Sequence, residues 1–190
     1  MKQNKKSVLA PVLVMIVLLL ILLTLLAVAF WKPIAQKVYP LAYEDSIRKY
    51  ADEYGVPEML VCAVIFQESG FRADAVSSTG DYGLMQMQET TFAEMRNRLG
   101  LPADENDILN PEQNIQCGVY YLSYLYDIYE DWEATMAAYN AGMGNVKEWL
   151  RDPEYSSEGD HLDVIPFAST KSYVERIFRF KSVYEKIYNE

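Results

Sequence analysis

The chain has 190 residues and a formal net charge of −10 at pH 7. All 27 Asp and Glu follow position 43, while Lys2, Lys5 and Lys6 precede an apolar stretch, so setting those three lysines aside takes the remainder from −10 to −13. So acidic a body excludes phosphate-backbone binding, which needs clustered Lys and Arg. One histidine and two scattered cysteines form no ligand cluster. No nucleic-acid partner or metal is therefore expected, and the composition by itself calls for no organic cofactor.

Val8 to Trp31 carries no charge and only Thr24 as an ordinary polar side chain. At about 1.5 Å per helical residue it is long enough to cross roughly 30 Å of hydrocarbon. The denser positive flank lies before it, which predicts a cytoplasmic N-terminus (1–7), a transmembrane anchor (8–31) and everything later outside the cell. Ala27-Val28-Ala29 also has the small-x-small form of a signal cleavage site, giving a secreted alternative released near Ala29. The apolar run exceeds the roughly 7–15 residues of a signal core, which favours the uncleaved anchor. Lys32 to Pro40, bounded by Pro33 and Pro40, reads as a short stalk of roughly 30 Å at full extension. Residues 41–190 form one domain with enough chain to bury a core.

Within that domain Ile47, Tyr50, Ala51 and Tyr54 recur at helical spacing and stop at Gly55. Pro57 suits the first turn of a second helix reaching about Ser69. Gly70 to Gly83 is rich in Gly, Ser, Asp and Thr and predicts a long loop, followed by a short apolar segment, Leu84 to Met87. A third helix covers Thr91 to Leu99. Asn110-Pro111 pairs an N-cap with proline at the first helical position and opens a helix to about Tyr129. Asp131 caps another, Trp132 to Ala141, and a shorter one follows from Asn145 to Leu150. Arg151 to Ile165 reads as loop, and Ser169 to Tyr188 as the last helix. The fold class is mainly α, a multi-helix domain with at most a minimal β segment. Cys62 and Cys117 fall inside apolar helical patterns and read as buried thiols rather than a disulfide.

Glu68 continues the Leu60–Val64 stripe at the C-terminal end of the second helix. Partial burial and the negative end of the helix dipole both disfavour its charged form. A carboxylic acid kept protonated near neutrality is what a departing glycosidic oxygen needs. Around it stand Glu68-Ser69-Gly70-Phe71, then Ala75, Ser77 and Gly80, then Gly83-Leu84-Met85-Gln86 with Thr90 beyond. Ala138-Tyr139-Asn140-Ala141-Gly142 follows, and later Ile165-Pro166-Phe167 with Thr170, Tyr173 and Val174.

In that order these strings resemble the soluble lytic transglycosylase (SLT-domain) family, over roughly Tyr43 to Tyr188. The resemblance implies a lysozyme-like fold and cleavage of the β-1,4 bond between N-acetylmuramic acid and N-acetylglucosamine in peptidoglycan, leaving a 1,6-anhydro end. It implies that Glu68 is the single catalytic residue, acid and then base, and that Ser77, Gly83, Met85, Gln86, Tyr139 and Asn140 line or contact the bound glycan. Gly83 would let the backbone approach a ligand. Gln86 offers donors and an acceptor, and Met85 an adaptable apolar surface. Asn140 equally suits a local cap and Tyr139 plain core.

Two positions depart from the family pattern. Ser169 stands where a glutamate often helps position the sugar, leaving a hydroxyl as the possible substrate contact. Asp81 stands where alanine is frequent, and Asp81-Tyr82-Gly83-Leu84-Met85-Gln86 resembles the string of animal c-type lysozymes. There the aspartate is a second carboxylate, so a hydrolase using Glu68 and Asp81 is the alternative reading. Thr79-Gly80-Asp81 is also ordinary turn chemistry. A non-catalytic wall-binding module is a third reading, which a half-buried acid at Glu68 argues against. His161 reads as solvated, and the tyrosines of the 110–129 helix are divided between core and sugar platform.

Overall fold

The computed structural model describes residues 6–102 and 107–188. The chain divides after Pro40 into two compact units. The first is one helix, α1 (Lys6–Val38), with both Pro11 and Pro33 inside it. Pro11–Val38 is long and apolar enough to cross a membrane by length and composition. This shortens the stalk expected over 32–40: residues 32–38 are helical and rise about 1.5 Å each rather than the roughly 3.3 Å or more of extended chain.

The second unit holds seven α-helices among its described residues: α2 (Glu44–Tyr54), α3 (Glu58–Ser69), α4 (Glu89–Arg98), α5 (Pro111–Tyr129), α6 (Trp132–Ala141), α7 (Met143–Trp149) and α8 (Ala168–Tyr188). A 3₁₀ turn, Asp107–Leu109, leads into α5. The sheet among the described residues is one antiparallel pair, β1 (Asp81–Tyr82) with β2 (Met87–Gln88), in the register Asp81 to Gln88 and Tyr82 to Met87. This is the mainly helical architecture with a minimal β segment that the sequence predicts.

The helix ends follow from local chemistry. Asn110 Oδ1 accepts from Gln113 N at 3.2 Å, with Pro111 opening α5. Asp131 Oδ1 accepts from Ala134 N at 2.7 Å and starts α6. Helix α4 begins at Glu89 rather than Thr91 because β2 passes into it directly. Helix α7 begins at Met143 rather than Asn145, immediately after Gly142.

Helix α3 is the centre of the domain. Met59 to Ile65 are buried without a break, so it is apolar on every side rather than along the single stripe that Leu60 and Val64 suggest. Helix α8 packs along it, with Phe66 edge-on to Phe180 and Tyr184. Helices α5 and α6 close the core with Ile115, Leu122, Leu125 and Met136, all fully buried. Cys62 and Cys117 are buried in α3 and α5. Burial pushes the Cys62 thiol up to about 12, so it is packing rather than a nucleophile.

Candidate active site

The C-terminal turn of α3 brings Glu68 to the wall of a cleft of about 590 Å³, lined also by the β1–β2 hairpin, Thr91, Tyr121 and the end of α6. Glu68 is half-buried. Burial, the largest influence, pushes its carboxyl up to about 7, and the charge of Asp81 adds to the rise. Two groups oppose them. Tyr173 on α8 donates its hydroxyl to Glu68 Oε1 at 2.6 Å, and the positive charge of Arg176 favours the carboxylate. Tyr173 is itself buried, and burial holds its phenol well above the ordinary value, so it remains a donor at any physiological pH. The next residue along, Ser69, ties this turn to the hairpin: its Oγ donates to Leu84 O at 2.8 Å, with Ile65 O at 3.1 Å.

Asp81 opens β1 and lines the same cleft. Its Oδ2 receives two hydroxyls, Ser77 at 2.7 Å and Thr79 at 2.6 Å. Burial works to raise its carboxyl, but hydrogen bonds from Thr79, Ser77 and Gln88 outweigh it and hold the group below its ordinary value. Ser77 is as much scaffold as surface. Its Oγ also accepts from Asp81 N at 2.9 Å and Thr79 N at 3.2 Å, which uses a hydroxyl's full capacity.

The hairpin turn departs from the sequence reading at two residues. Met85 is fully buried and absent from the cleft lining; it packs on Gly118 of α5, where an added Cβ would stand 2.3 Å from Met85 Sδ. Its side chain therefore offers no apolar surface to a sugar, and its backbone is gripped by Asn114 and Tyr139: Met85 N donates to Asn114 Oδ1 at 2.8 Å, and Met85 O accepts from Tyr139 Oη at 2.7 Å. Gly83 is needed for close approach, but to protein rather than ligand. An added Cβ there would lie 2.5 Å from Asn114 Nδ2 and 2.9 Å from Ile108 O.

Gln86 does line the cleft. It takes a left-handed backbone, φ +47°, and its Nε2 donates to Gly83 O at 2.9 Å and Ala75 O at 3.1 Å. Tyr139 lines the cleft beside Tyr121, their rings 5.5 Å apart. Asn140 is exposed in the cleft and accepts from Thr170 Oγ1 at 2.9 Å, so its oxygen serves an inter-helix bond rather than a local cap. Ser169, exposed in the first turn of α8, adjoins Thr170 and is not among the cleft-lining residues.

Sequence reasoning left Tyr121 between core and platform and assigned no role to Gln88 or Thr91, and all three line the cleft. It named Tyr173 without its bond to Glu68; a buried tyrosine whose hydroxyl must find a partner was the available signal. His161 is not among the cleft-lining residues and is exposed between Asp160 (2.7 Å) and Asp163 (3.1 Å).

The family model of the transglycosylase SLT domain matches residues 45–161, ending before α8. The soluble lytic murein transglycosylase of Escherichia coli K12 is 30% identical over 158 residues, covering 81% of this chain and 24% of that protein. A membrane-bound lytic murein transglycosylase C from Serratia proteamaculans is 34% identical over 116 residues, 55% of this chain and 32% of its own. Among solved structures, an inactive glutamate-to-glutamine mutant of lytic transglycosylase Slt from Pseudomonas aeruginosa superposes with a TM-score of 0.71 at 30% identity, covering 80% of this chain and 25% of that one. A 70-kDa soluble lytic transglycosylase in complex with bulgecin A gives 0.72 at 28% identity, covering 82% and 26%. The chain spans about a quarter of the length of the first of these relatives. With more than half of its residues matched by the domain model, the chain belongs to the transglycosylase SLT domain family.

Proposed function

We propose that this protein is a peptidoglycan lytic transglycosylase that cleaves the β-1,4 bond between N-acetylmuramic acid and N-acetylglucosamine. The observation that carries the reading is Glu68: a carboxyl held near 7 by burial, bonded by Tyr173 at 2.6 Å, on the wall of an open cleft. In its protonated form it donates to the departing glycosidic oxygen, which leaves as the 4-hydroxyl of the next sugar. The resulting carboxylate then takes the proton of the muramoyl 6-hydroxyl as that oxygen bonds to C1. The acid is regenerated and no water is consumed. Gln86, Tyr139 and Asn140, which line the cleft, supply polar contacts that hold the sugars.

The hydrolytic alternative has one observation in its favour, that Asp81 lines the same cleft. Two hydroxyls already occupy its Oδ2, which makes it a weaker nucleophile than a free carboxylate. Mass spectrometry of the fragments released from purified sacculi separates the two. A transglycosylase releases muropeptides lighter by one water with no reducing muramoyl end, and Glu68→Gln releases none. Reducing ends throughout would make the protein a hydrolase, and cleavage by Glu68→Gln near the wild-type rate would remove Glu68 from the chemistry.

Helix α1 supports a membrane-tethered form, and Lys2, Lys5 and Lys6 before it favour residues 1–7 in the cytoplasm and the cleft outside, acting on glycan near the membrane. Protease added to intact spheroplasts should digest residues 41–190 and spare a fragment containing 8–31.

A further inference from the structure

The cleft carries an unbalanced charge. Two carboxylates, Glu68 and Asp81, are among the described residues lining it, and no Lys, Arg or His is among them. The basic side chain that acts on Glu68, Arg176, is outside that lining and donates its Nε to Gln67 Oε1 at 3.0 Å. The two acids are built differently. Glu68 receives a single hydroxyl and sits where a proton is readily held. Asp81 receives two hydroxyls on one oxygen, from residues of its own turn. An oxygen accepting two O–H donors is suited to the ionised state, and a carboxyl held below its ordinary value agrees with that geometry.

Asp81 is thus a fixed anion on the wall of a glycan-sized cleft, only half-buried and with no cation beside it in the described lining. An N-acetylated sugar brings nothing to neutralise it. A hexosamine with a free amine brings an ammonium. We propose that the cleft selects glycan strands containing unacetylated amino sugars, with the Asp81 carboxylate receiving the ammonium of a glucosamine residue. This rests on the reading of the cleft as a wall-glycan site. A diamino acid of the peptide stem offers the same ammonium, but Asp81 shares its wall with Glu68, where the strand itself must lie, and this favours the sugar.

The test uses the full-length protein in detergent carrying Glu68→Gln, so that ligand is bound and not turned over. Calorimetry compares the tetramer of glucosamine with the tetramer of N-acetylglucosamine, both free of peptide, at mildly acidic pH where the amine is protonated. A half-exposed ion pair should make the glucosamine tetramer bind about fivefold tighter. The advantage should shrink in high salt and vanish when Asp81→Asn is added. Asparagine keeps an oxygen for Ser77 and Thr79, and a thermal melt verifies that the domain remains folded.

The inference is overturned if the acetylated tetramer binds as tightly, or if the preference survives Asp81→Asn. It is also overturned if a free-amine preference appears only on stem-bearing strands, since the ammonium is then the peptide's. Wild-type protein that releases anhydro-ended fragments from fully acetylated sacculi, while the tetramers bind alike, would sink this inference and leave the proposed activity standing. Failure of any glycan to bind or be cleaved would remove both.

Discussion

Replacing Glu68 by glutamine should stabilise the fold in alkaline buffer and leave it almost unchanged in acid. The side chain has an ordinary value of 4.5 and is raised to about 7 in the folded protein, chiefly by burial. A carboxyl raised on folding contributes stability that is fully present below its unfolded value and is lost as pH climbs through its folded one. Each pH unit between the two is worth about 1.4 kcal/mol, so the wild-type protein gives up about 3 kcal/mol between pH 4.5 and pH 8. The amide of the Glu68→Gln variant cannot ionise, and its oxygen still accepts from Tyr173, so the variant keeps that stability. Urea denaturation of residues 41–190, which form a compact unit of their own, reads the difference directly. Comparing the two proteins at each pH cancels the titration of groups that do not interact with Glu68. The expected gain is about 3 kcal/mol at pH 8 and under about 0.5 kcal/mol at pH 4.5. A gain independent of pH, or a variant less stable than wild type at pH 8, would refute the claim that burial governs this acid.

Tyr173→Phe removes the donor at 2.6 Å that favours the Glu68 carboxylate. A hydrogen bond to a charged group is worth about 1.5–3 kcal/mol, so the alkaline limb of kcat/KM, which reports the free enzyme's acid, should rise by about one pH unit or more. A limb that stays put or falls would sink the assignment. Gly118→Ala should cost about 1–3 kcal/mol of stability by overpacking, because the new methyl would stand 2.3 Å from Met85 Sδ and 3.0 Å from its Cβ. Urea midpoints within error of wild type would show that Met85 has room to move.

The elements that local chemistry determines were legible in the sequence. Asn110-Pro111 and Asp131 cap the helices they were expected to cap, and Gly55 ends α2. The half-buried position of Glu68 at the end of α3 was legible too, because it continues the Leu60–Val64 spacing. What escaped is decided by partners far along the chain. Met85 reads as an exposed apolar surface until Gly118 of α5 is placed beneath it. Tyr173 lies 105 residues from the carboxylate that it serves. The tyrosines of α5 could not be sorted by name, since their surroundings depend on which way each faces across neighbouring helices. Tyr121 reaches the cleft, Tyr126 stacks on Trp132, and Tyr129 donates to Met143 O at 3.2 Å.

Those distant partners explain how a two-strand hairpin, too small to be stable alone, can present a cleft wall. Asn114 is buried on α5 and commits its whole side chain to this loop. Its Oδ1 accepts from Met85 N, while its Nδ2 donates to Tyr82 O at 3.0 Å and Ile108 O at 2.8 Å. Tyr139 of α6 takes the carbonyl of the same residue, Met85 O, and Ser69 of α3 takes Leu84 O. Three helices thus hold consecutive residues of one turn, and Gly83 is the position at which Asn114 can come close enough to do so. With residues 83–85 fixed this firmly, Gln86 is held in its left-handed conformation, at a cost that the surrounding bonds must offset. The hairpin side of the cleft is therefore held by protein bonds alone. The same α3 turn carries Glu68 and Ser69, so the acid and the hairpin wall of the cleft are set by a single piece of helix.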